Sequence, residues 1–294
     1  NLSLTAGHKL LLNSGTYIWT NSTVDVHDST TLAESVRLTL TGGDGYSFGN
    51  LTNAGSMILS AGATAQATTV TNTGSLTIGG TLNSSGAVTS TGELALSGTL
   101  TGTDIALSGA TDEANDLLGG TIRASGNLSI AQAILGGTTL SGMTVSFDGA
   151  VNGGADNTVT AGSLLVNTDV AMAGSTITVS DSTTIDAGKT LSLTGGTQSF
   201  GMLTGGAGSV LGLAGGATAE AKDIRFADGS ITLDASSLTT TTGADSAIGS
   251  LTLAGDSSLE TAGDLEITTL EDEANGSIVS DGDLTIDNDI TTSD

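Results

Sequence analysis

A short phrase recurs along this chain: a glycine, any residue, an aliphatic residue, any residue and a second aliphatic residue. Examples are GSLTI, GELAL, GSLTL and GDLTI, which start at Gly74, Gly92, Gly249 and Gly282. Self-similarity of this kind is typical of repeat architectures, in which each unit is too small to bury its own apolar face and stacks on its neighbours. The repeat therefore constrains the fold more than any single motif does.

The aliphatic residues of each phrase alternate with polar ones, as in Leu76 and Ile78 of the copy at Gly74. Alternation predicts a strand with one buried and one wet face. The copies are also rich in Thr, Ser, Gly, Asn and Val, which disfavour helix interiors. Copies follow one another closely from Gly188 to Gly282 but are more widely spaced from Gly92 to Gly162. We interpret about 20 residues as one turn, and expect some earlier turns to have lost the pattern or to carry inserted loops.

These patterns predict an all-β fold, a single-stranded parallel β-helix (β-solenoid). The 294 residues would make about 14–15 turns, stacked at roughly 4.8 Å into a rod on the order of 70 Å long. Because no linker interrupts the repeats, residues 51–294 are predicted as one continuous solenoid body. Residues 1–50 are predicted as an atypical N-terminal cap or subunit-coupling region. They contain both histidines and most of the aromatic rings, namely His8, His27, Tyr17, Trp19, Tyr46 and Phe48.

The charge balance is strongly acidic, with 31 Asp and Glu against 6 Lys and Arg, a net charge of -25. Such a charge repels nucleic acid, which we exclude as a partner. The far end of the chain carries acid without any base: Asp256, Glu260, Asp264, Glu266, Glu271, Asp272, Glu273, Asp281, Asp283, Asp287, Asp289 and Asp294. Two interpretations stay open, a solvated face or binding of a hard cation, with calcium as the favoured ion.

Several features bear on the compartment. The chain contains no cysteine, so no disulfide is available, and it has no apolar run long enough for a membrane-spanning helix. It opens with NLSLTAG rather than an initiator Met. We interpret this as an exported protein whose signal peptide has been removed, although a truncated start would look the same. The expected location is therefore extracellular, at the cell surface.

Two longer stretches carry a family resemblance: GSLTIGGTLNSSGAVTSTGELALSGTLTG from Gly74 and GSLTLAGDSSLETAGDLEITT from Gly249. They resemble the secreted β-solenoid adhesins of bacteria, the filamentous-haemagglutinin-like exoproteins and autotransporter passenger domains. The resemblance implies a right-handed parallel β-helix, export to the cell exterior and a structural or adhesive role. It supplies no motif that can be transferred residue by residue.

No catalytic or cofactor-binding residue is predicted, but two clusters are candidates. His27 with Asp25 and Asp28 invites a metal or acid–base site, against the simpler interpretation of a solvated histidine. The second cluster joins acidic and basic residues in Lys222, Asp223, Arg225 and Asp228. Glycan cleavage needs two carboxylates that converge on one bond, and an ion-pair group at the surface is the alternative.

Two weaker motifs remain. GGDGYSFGN from Gly42 resembles one calcium-binding nonapeptide, but Ser47 stands where the ligand Asp belongs, so a glycine turn is favoured. Thr-x-Thr pairs, such as Thr69 with Thr71 and Thr99 with Thr101, would bind ice only if they were in register on one flat face. Threonine at exposed strand positions is the simpler interpretation.

The sequence thus predicts an extracellular structural protein without enzymatic activity. Its solenoid would dock head to tail with copies of itself to build a surface fibre. A terminal segment such as residues 2–19 would supply a strand to the next subunit. One alternative is a cell-surface adhesin or autotransporter passenger stalk, with host or surface glycans as partners. Another is a secreted β-helix that binds or cleaves polysaccharide.

Overall fold

The computed structural model describes residues 2–109, 116–288 and 290–292. Its strands are parallel and stack in about 15 turns, which confirms the predicted all-β parallel solenoid. Across the described residues, no helix is present that could cross a membrane. By Cα proximity the chain groups into two compact units, residues 1–143 and 144–294. The predicted division at residue 50 is not tested by this grouping and stays a prediction.

The first unit contains strands of mostly four residues, and its last strand runs past the unit boundary. These strands are β1 (Ser3–Ala6), β2 (Lys9–Leu12), β3 (Gly15–Thr20), β4 (Thr23–Val26), β5 (Ser29–Leu32), β6 (Val36–Thr41), β7 (Gly45–Ser47), β8 (Asn50–Asn53), β9 (Ser56–Leu59), β10 (Thr64–Ala67), β11 (Thr69–Asn72), β12 (Ser75–Ile78), β13 (Thr81–Ser84), β14 (Val88–Ser90), β15 (Glu93–Leu96), β16 (Thr99–Gly102), β17 (Ile105–Leu107), β18 (Asp116–Leu118), β19 (Thr121–Ala124), β20 (Asn127–Leu135) and β21 (Thr139–Asn152).

The second unit has longer strands, several of which bend from one face of a turn to the next. They are β22 (Thr158–Val166), β23 (Val170–Ala173), β24 (Thr176–Ile185), β25 (Thr190–Thr194), β26 (Thr197–Ser199), β27 (Met202–Gly205), β28 (Val210–Ala214), β29 (Thr218–Ala221), β30 (Asp223–Asp234), β31 (Ser237–Thr240), β32 (Ser246–Ala254), β33 (Ser258–Thr261), β34 (Leu265–Asp272), β35 (Ser277–Ser280), β36 (Leu284–Ile286) and β37 (Ile290–Thr292).

Each unit is built from three parallel ladders, one for each face of a turn. In the first unit, ladder A runs through β1, β4, β7, β10, β13, β16, β19 and β21. Ladder B runs through β2, β5, β8, β11, β14, β17 and β20. Ladder C runs through β3, β6, β9, β12, β15, β18 and β20.

The second unit repeats this plan. Ladder D runs through β22, β24, β26, β29, β31, β33 and β35. Ladder E runs through β22, β24, β27, β30, β32, β34 and β36. Ladder F runs through β23, β25, β28, β30, β32, β34 and β37. Three strands per turn thus close the apolar interior on all sides in both units.

Turn length is more regular than the spacing of the sequence phrases. On ladder A, each turn returns to the same face, so that Thr64 pairs with Thr81 and Thr99 pairs with Thr121. The phrases are uneven because they change ladder: the copy at Gly249 lies on ladder F, whereas the copy at Gly263 lies on ladder E. Some turns lack the phrase altogether. The turn between Thr99 and Thr121 includes residues 110–115, which lie outside the described residues.

The interior consists of columns of aliphatic side chains, one from each turn. On ladder C, Leu38, Met57, Leu76 and Leu94 pair in register and are all buried. Burying one such side chain stabilises a fold by roughly 2 kcal/mol. A single turn cannot bury its own column, so the stacking of turns supplies the core that the repeat pattern predicted.

One interior column of the first unit is polar over three successive turns, between the aliphatic residues Leu32 and Leu107. On ladder B, Asn53 donates from Nδ2 to Oδ1 of Asn72 at 2.8 Å, and Asn72 donates to Oγ of Ser90 at 2.9 Å. The same amide nitrogens also reach the backbone carbonyls of Ser75 and Glu93. Because buried polar groups require partners, this column ties three turns to one register.

The glycine of the phrase stands where adjacent turns approach most closely. Gly55, Gly74 and Gly92 follow one another at the corner before ladder C, and a Cβ on Gly92 would overlap the carbonyl oxygen of Gly74. A Cβ on Gly74 would overlap the carbonyl oxygen of Gly55 in the same way. None of these three glycines has a positive φ. The phrase therefore begins with glycine because the stacked backbones leave no space for a side chain.

Gly92→Ala is expected to lower the free energy of unfolding by about 1–3 kcal/mol, because the added methyl forces adjacent turns apart. Denaturation by guanidinium chloride measures the loss. The matched control is Gly136→Ala: Gly136 is exposed and has no atom within 4 Å of the added Cβ, so we expect a change within about 0.5 kcal/mol. Equal losses in the two variants would contradict the role of close backbone approach.

Candidate functional site

The first unit has a groove at the corner between ladders A and B, which we call the corner groove. It has a volume of about 480 Å³ and is open to solvent. Four successive turns contribute to it with equivalent positions: Asp25, Val26 and His27; Ser47 and Gly49; Gln66, Ala67 and Thr68; and Asn83, Ser84 and Ser85. The groove therefore runs from turn to turn instead of along one strand.

Small residues at this corner create the groove. The inward position at the end of each ladder A strand is Val26 in β4, but Ala67 in β10 and Ser84 in β13. The next corner residue is Gly49 after β7, with φ of 60°. Its added Cβ would meet the backbone of Asp28 at 2.6 Å. The short side chains leave a notch, and the buried Ser84 closes its floor by donating to the carbonyl of Thr68 at 3.2 Å.

One wall of the corner groove is a column of polar side chains that point away from the core. Asp25, Ser47, Gln66 and Asn83 are paired in register on β4, β7, β10 and β13. Oδ1 of Asn83 accepts a hydrogen bond from the Thr101 hydroxyl at 3.0 Å. Nδ2 of Asn83 makes no hydrogen bond to the described protein. Within the described part of the chain, the exposed Gln66 amide makes no hydrogen bond to the protein. The wall thus offers carboxylate, hydroxyl and amide groups to a ligand.

The histidine cluster that the sequence suggested does not converge on one point. Nε2 of His27 lies 3.5 Å from Oδ2 of Asp25, at one end of the corner groove. Asp28 instead pairs with His8 of the previous turn, with 2.9 Å between Nδ1 and Oδ2. All four side chains are substantially exposed. The arrangement consists of two separate surface pairs, one of which belongs to the groove.

The cluster around Asp223 is divided in the same way. Asp223 is buried and accepts from Nε and Nη2 of Arg225, both at 3.0 Å. The ammonium group of Lys222 donates to the carbonyl of Ser180 at 2.6 Å, and Asp228 is exposed. Asp223 and Arg225 thus form an ion pair, and Lys222 makes a separate contact with another turn. This geometry is that of an ion-pair group.

Several aspartates have a structural task at the corners. Oδ1 of Asp169 accepts the backbone N–H of Thr190 at 2.8 Å, and Oδ1 of Asp264 accepts the N–H of Asp283 at the same distance. In each case the acceptor lies one turn before the donor. Backbone N–H groups at corners need partners, so these carboxylates join successive turns where no strand pairing does.

The acidic far end is the candidate for calcium binding. Among the residues that the structure describes, no three His, Asp or Glu side chains are placed so that they could hold a metal ion. Asp289 and Asp294 lie outside the described residues. Calcium binding by this end of the chain therefore stays a prediction.

The glycine-rich motif at Gly42 belongs to the core of the first unit. Gly42 and Gly43 have φ of 62° and 81°, and they precede β7. Tyr46 and Phe48 are fully buried with stacked rings whose centroids lie 6.5 Å apart. Ser47 points outward into the corner groove. The segment is therefore a glycine turn followed by a strand, as the favoured interpretation predicted.

The Thr-x-Thr pairs lie on different faces: Thr69 and Thr71 are in β11 on ladder B, whereas Thr99 and Thr101 are in β16 on ladder A. Outward threonines nevertheless keep register within one ladder. On ladder A, five successive turns pair Thr64, Thr81, Thr99, Thr121 and Thr139. The uneven spacing of the sequence phrases concealed this column, because register follows turn length.

Comparison with known proteins gave no match to a protein-family model, to a curated protein or to a solved structure. The resemblance to bacterial β-solenoid adhesins therefore stays a prediction. The support for a function comes from the geometry of this chain alone.

Sequence reasoning missed the corner groove as a unit. It singled out Asp25 and His27, but nothing connected them with Gln66 and Asn83, which are distant in the sequence. The sequence signal for the groove is the small residue at the end of two ladder A strands, Ala67 in β10 and Ser84 in β13. It could be recognised only once the turns were aligned in register.

Asp169→Ala is expected to expose the Thr190 N–H, which loses its carboxylate acceptor. A net cost of about 1 kcal/mol corresponds to a several-fold rise in the exchange rate of that amide. Hydrogen–deuterium exchange followed by NMR measures it. Asp228→Ala serves as the control, because Asp228 is an exposed aspartate of the same unit whose side chain makes no such bond to the described residues. An unchanged Thr190 rate in Asp169→Ala would disprove the corner role.

Proposed function

We propose that the chain is an extracellular structural protein, a β-solenoid subunit that stacks end to end with other copies to build a surface fibre. The proposal includes no catalytic step and no cofactor. Its main support is the solvent exposure of inward apolar side chains in the first and last described turns. Within the described residues, these side chains have a neighbouring turn on one side only.

The last described turn, β35–β37, carries apolar residues at core positions. Leu284 and Ile290 are 45% and 55% exposed, although they pair with Leu265 and Leu270, which are 1% and 6% exposed. The difference arises because one further turn covers Leu265 and Leu270. A stacked turn of the same kind would bury Leu284 and Ile290, at a gain of roughly 1–2 kcal/mol each.

The first turn, β1–β3, presents the complementary end. Three of its inward residues, Leu4, Leu10 and Tyr17, are only half-buried. Their respective ladder neighbours Val24, Thr30 and Leu38 are fully buried. Residues 3–20 already pair with β4, β5 and β6 of the same chain. A joint would therefore use the outer edge of these strands instead of exchanging a free segment, with main-chain hydrogen bonds added to apolar contact.

The charges of the two turns favour head-to-tail contact. Residues 2–24 contain Lys9 and His8 but no acidic residue, whereas residues 281–288 contain Asp281, Asp283 and Asp287 and no basic residue. Unlike ends attract each other, and like ends of the acidic kind repel. A heterologous contact of this type produces open filaments when no rotation closes a ring.

Size-exclusion chromatography with light scattering, together with negative-stain images at rising protein concentration, tests the assembly. We expect concentration-dependent end-to-end oligomers that shorten at high salt, because salt screens the complementary charges. Leu284→Asp should abolish them. Val279→Asp is the matched control, since Val279 lies in the same turn, is 49% exposed and occupies an outward position beside Glu260.

A monomer at every concentration, or an equal loss in Leu284→Asp and Val279→Asp, would refute end-to-end assembly. The second candidate function is a cell-surface adhesin stalk, and the corner groove is the observation that favours it. Cleavage of polysaccharide is disfavoured at the groove, because Asp25 is the one carboxylate among its lining residues and glycoside hydrolysis uses two.

A further inference from the structure

We propose that the corner groove of the first unit binds an uncharged, linear polysaccharide that lies across the turns. The groove is formed by residues of four successive turns at equivalent positions. Three turn-to-turn steps of about 4.8 Å make it roughly 14 Å long. A site of this length and open shape fits an extended chain of several sugar units better than a compact small molecule.

The wall repeats one polar group per turn. Carboxylate, hydroxyl and amide groups follow each other in register in Asp25, Ser47, Gln66 and Asn83. Amides and hydroxyls both donate and accept hydrogen bonds, whereas a carboxylate only accepts. A ligand with hydroxyl groups at regular intervals satisfies all of them, because each sugar hydroxyl also donates and accepts.

The free capacity of the wall supports a ligand. The Gln66 amide has no hydrogen-bond partner in the described protein, and Asn83 uses only its oxygen, to accept from Thr101. By contrast, the buried amides of Asn53 and Asn72 on ladder B are engaged with neighbouring turns. The groove therefore carries amide nitrogens that make no hydrogen bond to the described protein.

Charge excludes anionic polymers. The single lining side chain that can become cationic is His27, which already lies beside Asp25. The whole chain has a net charge of -25. An acidic polysaccharide or a phosphorylated ligand would be repelled and would find no Arg or Lys in the groove to pair with.

Strand addition by a peptide is excluded by the pairing of the surrounding strands. β4 pairs with β1 and β7, β7 with β10, and β10 with β13, which in turn pairs with β16. No main-chain edge of these described strands borders the groove, so an extended peptide could not use the hydrogen bonds on which that mode of recognition depends. Side-chain recognition of hydroxyl groups is the chemistry that the groove offers.

The test uses the full chain, at a concentration where it is monomeric, on immobilised hexasaccharides. Cellohexaose and chitohexaose are the uncharged probes, and hexagalacturonate is the acidic probe of equal length. We expect retention on at least one uncharged hexasaccharide, weaker retention on its disaccharide because fewer turns are spanned, and none on hexagalacturonate. No retention on either uncharged probe, or retention only on the acidic one, overturns the proposal.

Variants then locate the site. Gln66→Leu should weaken binding of the retained hexasaccharide by about tenfold, the effect of losing its amide hydrogen bonds. Gln132→Leu makes the same chemical change at a half-buried position of β20 outside the groove and should leave binding unchanged. Ser47→Ala is a second groove variant with a minimal effect on packing. Equal binding by all three variants and the native chain overturns the proposal.

This inference does not depend on fibre formation. The groove residues belong to the second to fifth turns, whereas the assembly proposal uses the first and last. Leu284→Asp should therefore abolish end-to-end assembly while glycan retention persists. If the native chain assembled end to end but was retained on neither uncharged hexasaccharide, the groove proposal alone would fail.

Discussion

Stacking of one turn on the next at strand spacing is the constraint on which the rest of this structure depends. Every described strand outside the terminal turns is held by main-chain pairing along the stack, and the interior has no other source of apolar contact. The corner glycines follow from this constraint. At Gly74 and Gly92 the backbones of adjacent turns are too close for a Cβ. The spacing of the turns therefore requires a glycine at the same point of successive repeats.

Polar side chains interrupt the aliphatic columns of the interior, and the chain of Asn53, Asn72 and Ser90 shows how they contribute to register. Aliphatic columns oppose a one-residue slip, because the slip would turn every buried side chain outward, but their dispersion contacts are not directional. The amides of Asn53 and Asn72 are directional, and each bonds both to the next side chain and to a backbone carbonyl. At the corners, the carboxylates of Asp169 and Asp264 also favour one register, because each accepts a backbone N–H of the next turn. Polar bonds thus add directional contacts to a register that the buried alternation already favours, whereas most of the stability comes from aliphatic burial.

The sequence predicted the class of fold because alternation and corner glycine are both local consequences of stacking. Leu76 and Ile78 were assigned inward, and both are buried. It could not predict which face a phrase occupies, since all three ladders demand the same alternation. The copies at Gly249 and Gly263 look equivalent in sequence but lie on ladders F and E. The corner groove stayed hidden for the related reason that Asp25, Gln66 and Asn83 become neighbours only after the turns are aligned.

Inward and outward strand positions contribute differently to function. Stacking restricts most interior positions to apolar or small residues, whereas outward positions are free to differ from turn to turn. On ladder A the outward position nearest the corner changes from Asp25 to Ser47, Gln66, Asn83, Thr101 and Arg123, while the inward residues beside it stay apolar or small. Function in such a chain is therefore encoded along a column and not within a motif. The corner groove illustrates this, because small residues at the corner, Gly49, Ala67 and Ser84, place a column of outward polar side chains along a concave surface.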